Sequence, residues 1–324
     1  RCITESIILT MEQQPFGCCL RKVKTSIFIA SRTGRLFFAM PASEKNIALL
    51  ANSRAGDGRS LPMAGRIADF LRAKGVAYTL FQDEWPEEFN GYSDGWIVGG
   101  DGTLNFFVNH YPGIRLPLAV FNGGTGNDFH WLLYGNLTLE EQVETVLKAL
   151  PRPIDLGRCN DRYFLNDVGI GFEGEVARRL QGRKKRSGKA TYLYTVLKTI
   201  FRYRSATYQV WVDGKLLGDQ RYLLVDINNG SRAGGGFHIA PESRADDGRF
   251  DLVAIDALPV LSRLRWLPVI EKGRHLKLPF VHHLRATSVV VESRAPMFAH
   301  QDGECFSSTR MEMELLPGRL LFCY

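Results

Sequence analysis

Two glycine-rich segments in the first half of the sequence carry residue types that suit phosphate chemistry. The first reads Gly-Gly-Asp-Gly-Thr-Leu-Asn over 99–105, and the second reads Asn-Gly-Gly-Thr-Gly-Asn-Asp over 122–128. Each follows an apolar run, and glycine allows backbone N–H groups to approach phosphate oxygens closely. Neither segment has the P-loop ending or the GxGxxG spacing of a dinucleotide site. Two tight turns are the structural alternative.

Acidic residues accompany these loops and recur near the C-terminus. Asp101 and Asp128 lie within the loops, where carboxylates beside phosphates suit magnesium or its water shell. For Asp128 the alternative is a cap on nearby helix or turn amides. Asp302 and Glu304 flank Gly303 and are candidates for a base that accepts a hydroxyl proton. Asp-Gly is also a common turn dipeptide, and the residues alone favour that alternative.

The elements that position these residues begin with an alternation of strands and helices. Apolar runs predict strands at 47–52, 76–81, 96–98 and 116–121, helical spacing covers 62–74, and a capping box starts a helix at Thr138. This predicts an α/β domain over 45–150 with a mainly parallel, doubly wound sheet. Both glycine loops then fall at the carboxyl ends of strands, where such sheets bind ligands. The stretch 82–98 is short for a crossover helix.

After residue 150 the pattern changes to strands separated by hairpin signals. We predict strands at 163–168, 208–212, 222–228, 250–255, 288–292 and 311–316, and helices at 190–202 and 258–274. These predict a mainly β, antiparallel, sandwich-like domain over 151–324. Residues 1–44 show no sustained period, and we treat them as an N-terminal extension with no structure assigned.

Composition restricts the setting in which the chain works. The 324 residues include 41 Lys and Arg against 34 Asp and Glu, a formal net charge of +7, which suits an anionic partner. Six cysteines without a CxxC pair predict free thiols in a reducing cytoplasm. No run approaches the roughly 18 apolar residues of a membrane span, and the first 44 residues lack a signal-peptide layout. We therefore expect any contact with lipid to be peripheral.

The two loops together resemble the catalytic family of diacylglycerol kinases, which also includes sphingosine kinases, ceramide kinases and bacterial lipid kinases. The resemblance continues through 164–172, through 234–241 with the Asp-Asp-Gly that follows at 246–248, and through Gln-Asp-Gly-Glu at 301–304. It covers the chain from about residue 45 onwards. The Gly-Gly-Asp-Gly-Thr loop alone is shared with NAD kinases. Ala55 departs from the family, which usually has serine there, and this puts one phosphate contact in doubt.

The resemblance implies a kinase that uses ATP and Mg2+ to phosphorylate a hydroxyl of a membrane lipid such as diacylglycerol or a sphingoid base. It implies Glu304 as the proton acceptor, assisted by Asp302, with Asp101 also catalytic. A second, structural Mg2+ would be held by Asp247 and by the backbone carbonyls of Arg244 and Arg249. The implied nucleotide-binding residues are Asn52, Gly56, Gly99, Gly100, Asp101, Gly102, Thr103, Asn105, Gly124, Thr125, Asn127 and Asp128.

Two basic segments suit an anionic membrane surface. They are the run 181–189 and the mixed basic and apolar stretch 263–277, although a solvated loop and packing onto the second domain also explain them. The basic residues do not interleave with aromatics in a recognisable module, so we expect no nucleic-acid partner; a homodimer is left open. The alternatives are an NAD kinase-like enzyme acting on a soluble substrate and a non-catalytic lipid-binding protein.

Overall fold

The computed structural model describes residues 28–30, 36–38, 40–181 and 189–324. Its first two strands, β1 (Phe28–Ala30) and β2 (Leu36–Phe38), form an antiparallel pair in a sheet of their own. They belong to the segment 1–44 that the sequence left unassigned. The other residues before position 40 and most of the basic run 181–189 lie outside the described residues.

The first unit is an α/β layer whose strands carry the glycine loops. In chain order its elements are β3 (Asn46–Ala51), α1 (Ser60–Ala73), β4 (Ala77–Gln82), β5 (Asp94–Gly99), α2 (Asp101–His110), β6 (Leu118–Asn122), α3 (Asp128–Tyr134) and α4 (Leu139–Lys148). The strands are adjacent and parallel in the order β4, β3, β5, β6, as the alternation of elements predicts. Thr138 and Glu141 form the predicted capping box. No helix of the described residues joins β4 to β5, in agreement with the short connection.

The second unit is rich in antiparallel strands, as predicted. Its elements are β7 (Pro151–Cys159), β8 (Arg162–Phe164), β9 (Asp167–Gly171), α5 (Phe172–Leu180), α6 (Lys189–Arg202), β10 (Ala206–Val212), β11 (Lys215–Asn228), β12 (Phe250–Asp256), α7 (Val260–Glu271), β13 (Val281–Ala286), β14 (Ser288–Gln301) and β15 (Glu304–Cys323). Six of the strands pair in the order β13-β12-β11-β10-β14-β15, and β9 pairs with both β11 and β14.

One expectation for the second unit is wrong. The single strand predicted at 163–168 is two strands, β8 and β9, because the backbone between them turns its amides toward Asp302. For Arg263 the sequence left open an interfacial helix or packing onto the second domain, and the residue is only 9% exposed, as packing requires. Its guanidinium donates hydrogen bonds to the carbonyl oxygens of Leu258 and Tyr203, both at 2.8 Å. It therefore holds α7 against the end of α6 and is not available to lipid.

The last strand, β15, joins the two units into one 13-stranded sheet. It pairs antiparallel with β14 and β7, and Phe322 then pairs in parallel with Leu118 of β6. Leu320 and Phe322 are buried in the same core cluster as β3, β5 and β6. The beginning of β15 carries Glu304, so the strand that starts at the candidate base is anchored in the nucleotide-side core.

A buried ion pair closes the base of the first unit and provides a test of its packing. Lys45 Nζ lies 2.8 Å from Asp94 Oδ1, and the two side chains are 6% and 4% exposed. We expect Lys45→Met to lower the free energy of unfolding by about 3–5 kcal/mol, because it leaves the Asp94 carboxylate buried without its cation. Urea denaturation measures the loss.

The control is Arg66→Met, which breaks the pair between Arg66 and Glu140 at 2.6 Å. Those side chains are 63% and 54% exposed, so we expect a loss of about 0–1 kcal/mol. Equal losses in the two variants would contradict the assignment of a large stabilising role to the Lys45 charge.

Candidate active site

The loops after β5 and β6 touch backbone to backbone. A Cβ atom built on Gly100 would lie 2.8 Å from the Cα of Gly124, and one built on Gly124 would lie 2.3 Å from the Cα of Gly100. Real side chains do not tolerate such distances, so glycine is required at both positions. The close approach brings the backbone amides of both loops to the same edge of the parallel sheet, where phosphate groups bind in such folds.

The loop after β3 joins the other two through polar contacts. Asn52 Nδ2 donates to Thr103 Oγ1 at 2.9 Å, and the Arg59 guanidinium donates to the carbonyl oxygens of Gly56 at 2.8 Å and Gly124 at 3.0 Å. Arg59 was not singled out in the sequence, although its place directly after a glycine-rich turn is a usable signal. It adds a cation beside loops proposed to bind phosphates.

Asp101 acts as a cap on α3. Its two carboxylate oxygens accept hydrogen bonds from the backbone N–H groups of Asp128 and Phe129, each at 3.0 Å. Burial raises the pKa of Asp101, and these amide hydrogen bonds oppose that rise. The capping role that the sequence left open for Asp128 is thus filled by Asp101, which fastens the second glycine loop to the first.

Asp128 presents a carboxylate oxygen that faces a cation without a hydrogen bond. Its Oδ2 accepts a hydrogen bond from the Gly235 amide at 2.7 Å, while Oδ1 has no hydrogen-bond partner among the residues that the structure describes. Oδ1 is ion-paired with Arg232 Nε at 3.5 Å, and the Arg232 guanidinium also lies over the Trp131 ring. Burial and then the charge of Asp101 raise the pKa of Asp128 to about 6. A buried carboxylate with an unused oxygen fits a magnesium ligand.

Two asparagines of the predicted nucleotide set hold protein groups in place. Asn127 closes its own loop, since its Oδ1 accepts from the Gly124 amide at 2.9 Å and its Nδ2 donates to the Gly124 carbonyl at 3.0 Å. Asn105 Nδ2 donates to Asp302 Oδ2 at 2.8 Å and thereby links α2 to the second unit. The remaining members of the set, Gly99, Gly102 and Thr125, lie in the same loops, and Gly102 and Thr125 are exposed.

Asp302 is saturated with hydrogen bonds. It lies at φ 47° in the turn between β14 and β15. Its Oδ1 accepts from the amides of Asn166 and Asp167 at 2.9 and 3.1 Å, and its Oδ2 accepts from the Leu165 amide at 2.8 Å as well as from Asn105. Burial raises its pKa, and these donors oppose the rise. The geometry gives Asp302 a structural task at the junction of the units.

Glu304 is held by fewer contacts than Asp302. Its side chain is 50% exposed, and its Oε2 lies 2.7 Å from the guanidinium of Arg162. It follows Gly303, which has φ 84° and completes the turn. Asp302 and Glu304, on either side of that glycine, both line one cavity.

A cavity of about 630 Å³ brings these groups together. Its lining includes Asp101, Gly126 and Asp128 from the glycine loops and Asp302 and Glu304 from the acidic turn. A phosphate bound at the glycine loops would therefore share the cavity with the acidic turn. This arrangement suits transfer of a phosphoryl group to a hydroxyl whose proton is accepted by a carboxylate of the turn.

Sequence reasoning missed three buried polar residues that line the same cavity, Asp167, Glu173 and His300, and the buried Asp226 behind them. Burial raises the pKa of Asp167 to about 8, although His300 opposes the rise. Burial alone would lower the pKa of His300, but Asp167 and Glu173 raise it to about 9. Asp167 and Glu173 stand close to the quoted segment 164–172, yet no spacing in the sequence connects them with His300.

The residues predicted to bind a structural Mg2+ do not line this cavity. Asp247 is ion-paired with Arg285, and its Oδ1 accepts from the Arg249 amide at 3.2 Å. The Arg244 guanidinium pairs with Asp246 at 3.0 Å. A cation at Asp247 would have to displace Arg285, and the magnesium assignment there stays a prediction.

Comparisons with known proteins give the class and then the family. The sequence model described as the diacylglycerol kinase catalytic domain matches residues 46–159, and the one described as the YegS C-terminal NAD kinase beta sandwich-like domain matches residues 166–323. The chain is 30% identical to the diacylglycerol kinase of Bacillus subtilis (strain 168) over 232 residues, which are 70% of this chain and 74% of that protein. It is a kinase, and it belongs to the diacylglycerol kinase family of lipid kinases. Membership implies the use of ATP and a lipid substrate.

Solved structures agree on the fold. A diacylglycerol kinase from Bacillus anthracis str. Sterne superposes with a TM-score of 0.66 at 22% identity, covering 87% of this chain and 97% of that one. An NAD kinase from Archaeoglobus fulgidus in complex with ATP gives 0.51 at 14% identity, covering 86% and 93%. The predicted fold class is confirmed. Within the described residues, no helix is long and apolar enough to cross a bilayer.

Proposed function

We propose that this protein transfers the γ-phosphate of ATP to a hydroxyl of diacylglycerol, or of a related lipid such as a sphingoid base, at the cytoplasmic surface of a membrane. The observation that carries the proposal is the cavity in which the paired glycine loops face the turn at Asp302 and Glu304. The relatives named as diacylglycerol kinases supply the lipid class.

On the nucleotide side, the backbone amides of the two glycine loops would bind the phosphates of ATP. Arg59 and Arg232 lie near these loops and offer positive charge. Asp128 Oδ1, which makes no hydrogen bond among the described residues and pairs with Arg232, would hold Mg2+ together with phosphate oxygens once Arg232 has turned to the phosphates. Bound there, Mg2+ would neutralise charge on the phosphates. Asp101 would act by keeping the Asp128 backbone in position, through the hydrogen bonds that cap α3.

On the acceptor side, Glu304 would accept the proton of the lipid hydroxyl. Its exposure and its position in the cavity wall allow it to approach a substrate oxygen. Asp302 would fix the turn that carries Glu304, since four donors hold its carboxylate. Arg162 would hold the Glu304 carboxylate in position while the substrate is absent.

An exposed apolar stripe on α6 supports membrane contact beside the cavity. The stripe consists of Leu193, Tyr194, Leu197 and Phe201, which are 36–63% exposed. Tyr192, on the same helix, lines the cavity, and in the sequence the basic run 181–189 immediately precedes the helix. Apolar side chains next to basic residues are the composition that binds an anionic membrane surface.

We expect Phe201→Ser to weaken binding to vesicles that contain anionic lipid by about tenfold, because a large apolar side chain no longer enters the interface. Vesicle co-sedimentation measures the change. Leu216→Ser is the control, since Leu216 is 54% exposed but lies on β11 outside the stripe. Equal binding by Phe201→Ser and the native chain would exclude α6 as the membrane contact.

The function is tested with purified protein, radiolabelled ATP and mixed micelles containing diacylglycerol, sphingosine or no lipid, with NAD in a separate reaction. Phosphorylation of a lipid supports the proposal and identifies the acceptor. Transfer to NAD alone would replace it with the NAD kinase alternative. ATP binding without transfer to any acceptor would favour the non-catalytic alternative.

A further inference from the structure

Three side chains behind the acidic turn converge from three different elements. Asp167 begins β9, Glu173 lies in the first turn of α5, and His300 lies near the end of β14. Their ligand atoms lie within 4.8 Å of one another. His300 Nε2 is 3.7 Å from Asp167 Oδ2 and 3.7 Å from Glu173 Oε2. These distances are too long for hydrogen bonds.

The carboxylate oxygens that face this space are unpartnered. Within the described part of the chain, Asp167 Oδ2 and Glu173 Oε2 have no hydrogen-bond partner, and Asp167 is only 2% exposed. Buried carboxylates normally have their oxygens satisfied, since an unpaired buried charge is costly. The cation nearest to both oxygens in the described part of the chain is the His300 ring, which at 3.7 Å hydrogen-bonds to neither of them. One metal ion bound by all three side chains would satisfy these oxygens.

The sheet explains why the space exists. Gly169 pairs with His300 on one side and with Asp226 on the other, and directly opposite residues point to the same face. A Cβ atom on Gly169 would lie 2.4 Å from both Glu173 Oε2 and His300 Nε2. Glycine at this position therefore leaves room above the sheet for the Glu173 carboxylate to meet the His300 ring.

Asp226 is a second, independent buried carboxylate beside this cluster whose oxygens are not satisfied. It is fully buried, and neither of its carboxylate oxygens has a hydrogen-bond partner among the described residues. The register of β9, β11 and β14 places it on the same face and in the same row as His300. It offers a fourth ligand or a balancing charge.

We propose that Asp167, Glu173 and His300, with Asp226 beside them, bind one divalent transition-metal ion such as Mn2+ or Zn2+. Two ligands that each lie about 2.1 Å from one ion are about 3–3.5 Å apart, so the 3.7 Å separations need to shorten by only a few tenths of an ångström. An imidazole nitrogen with carboxylate oxygens suits Mn2+ or Zn2+, whereas Mg2+ prefers oxygen ligands alone. The site is separate from the Mg2+ proposed at Asp128 and does not depend on the kinase reaction.

The same sheet offers a matched pair that is closed to metal. His283 Nε2 and Asp251 Oδ1 are 2.6 Å apart, so this histidine already has its carboxylate partner in hydrogen-bond contact. His283 is half-buried and lies on β13, at the end of the strand order of the same unit. Replacing it therefore tests the loss of a histidine from the sheet without removing a metal ligand.

The test is titration of the EDTA-treated full chain with MnCl2, without ATP or lipid, following free Mn2+ by electron paramagnetic resonance. We expect one Mn2+ per chain, displaced by Zn2+ but not by a hundredfold excess of Mg2+. His300→Gln should weaken binding by at least about 10–100-fold, the loss that even outer-shell changes produce. His283→Gln should bind Mn2+ as the native chain does. Circular dichroism checks the folding of each variant.

Glu173→Gln is the second ligand variant if His300→Gln fails to fold, and it should weaken Mn2+ binding similarly. Absence of Mn2+ and Zn2+ binding by the native chain would overturn the proposal. Native-like affinity in the folded ligand variants would also overturn it. Asp128→Asn separates the two sites: if this change abolished binding while His300→Gln did not, the ion would belong to the nucleotide side and the proposal would be wrong.

Discussion

Glu304→Gln is expected to lower kcat for lipid phosphorylation by about 10²–10⁴-fold and to leave the dissociation constant for ATP nearly unchanged. Glutamine keeps the length and hydrogen-bonding reach of the side chain but cannot accept the proton of the attacking hydroxyl. The lower end of the range is the more reasonable, because phosphoryl transfer through a loose transition state depends mainly on positioning and charge. ATP binding should survive, since Glu304 lies at the start of β15 and not in either glycine loop.

The control for this variant is Glu314→Gln. Glu314 lies on the same strand, is 53% exposed and pairs with Arg158 at 2.5 Å, much as Glu304 pairs with Arg162. It does not line the cavity. If both variants lost kcat equally, the loss would come from breaking a strand ion pair. Full activity in Glu304→Gln would remove the assignment of Glu304 as the base.

The sequence was sufficient for the parts of the site that are local in the chain. Each glycine loop follows its own strand, so the loops and the parallel sheet could be predicted from runs of neighbouring residues. Their placement at the carboxyl ends of strands followed from the rule for ligand sites in such sheets, whereas the contact between Gly100 and Gly124 comes from the structure alone. The capping box at Thr138 was equally local and is present.

The sequence was insufficient where distant segments compete for the same backbone groups. Residues 163–168 have the pattern of one strand, yet Asp302 draws the amides of Leu165 and Asn166 out of the ladder. The strand predicted at 311–316 ends before the Pro-Gly pair at 317–318. In the structure β15 continues through this pair, with a shift in register between Leu316 and Leu320. The strand continues because the residues beyond the pair enter the core of the first unit.

The role of Asp101 shows the same limit at the level of chemistry. Its place in a glycine loop predicted a contact with nucleotide or metal. In the structure its oxygens are engaged by amides of α3, which begins more than 20 residues later in the chain. Both oxygens of Asp101 accept hydrogen bonds, whereas Oδ1 of Asp128 accepts none from the described residues. This difference depends on packing that no local pattern encodes.

Asp302→Asn is expected to lower both the stability of the chain and its kcat. The carboxylate accepts four hydrogen bonds, three of them from backbone amides. An asparagine has one acceptor oxygen and turns an NH2 group toward the other donors, so two donors lose their acceptor. Each lost acceptor costs about 1–3 kcal/mol, and for two of them we expect the free energy of unfolding to fall by about 2–6 kcal/mol. The turn that carries Glu304 would loosen, and kcat would fall with it.

The control is Asp213→Asn, because Asp213 also has φ 47° and accepts from backbone amides, those of Thr287 and Ser288, at 2.9 Å each. It lies in the turn between β10 and β11, away from the cavity lining. We expect this variant to lose stability in urea denaturation and to keep its kcat. The double variant Asp302→Asn/Glu304→Gln should be little worse in kcat than Glu304→Gln alone, since a positioning residue adds nothing once the group it positions is disabled. A stable Asp302→Asn protein with no activity would instead make Asp302 the proton acceptor, because the loss would then be one of chemistry without a loss of structure.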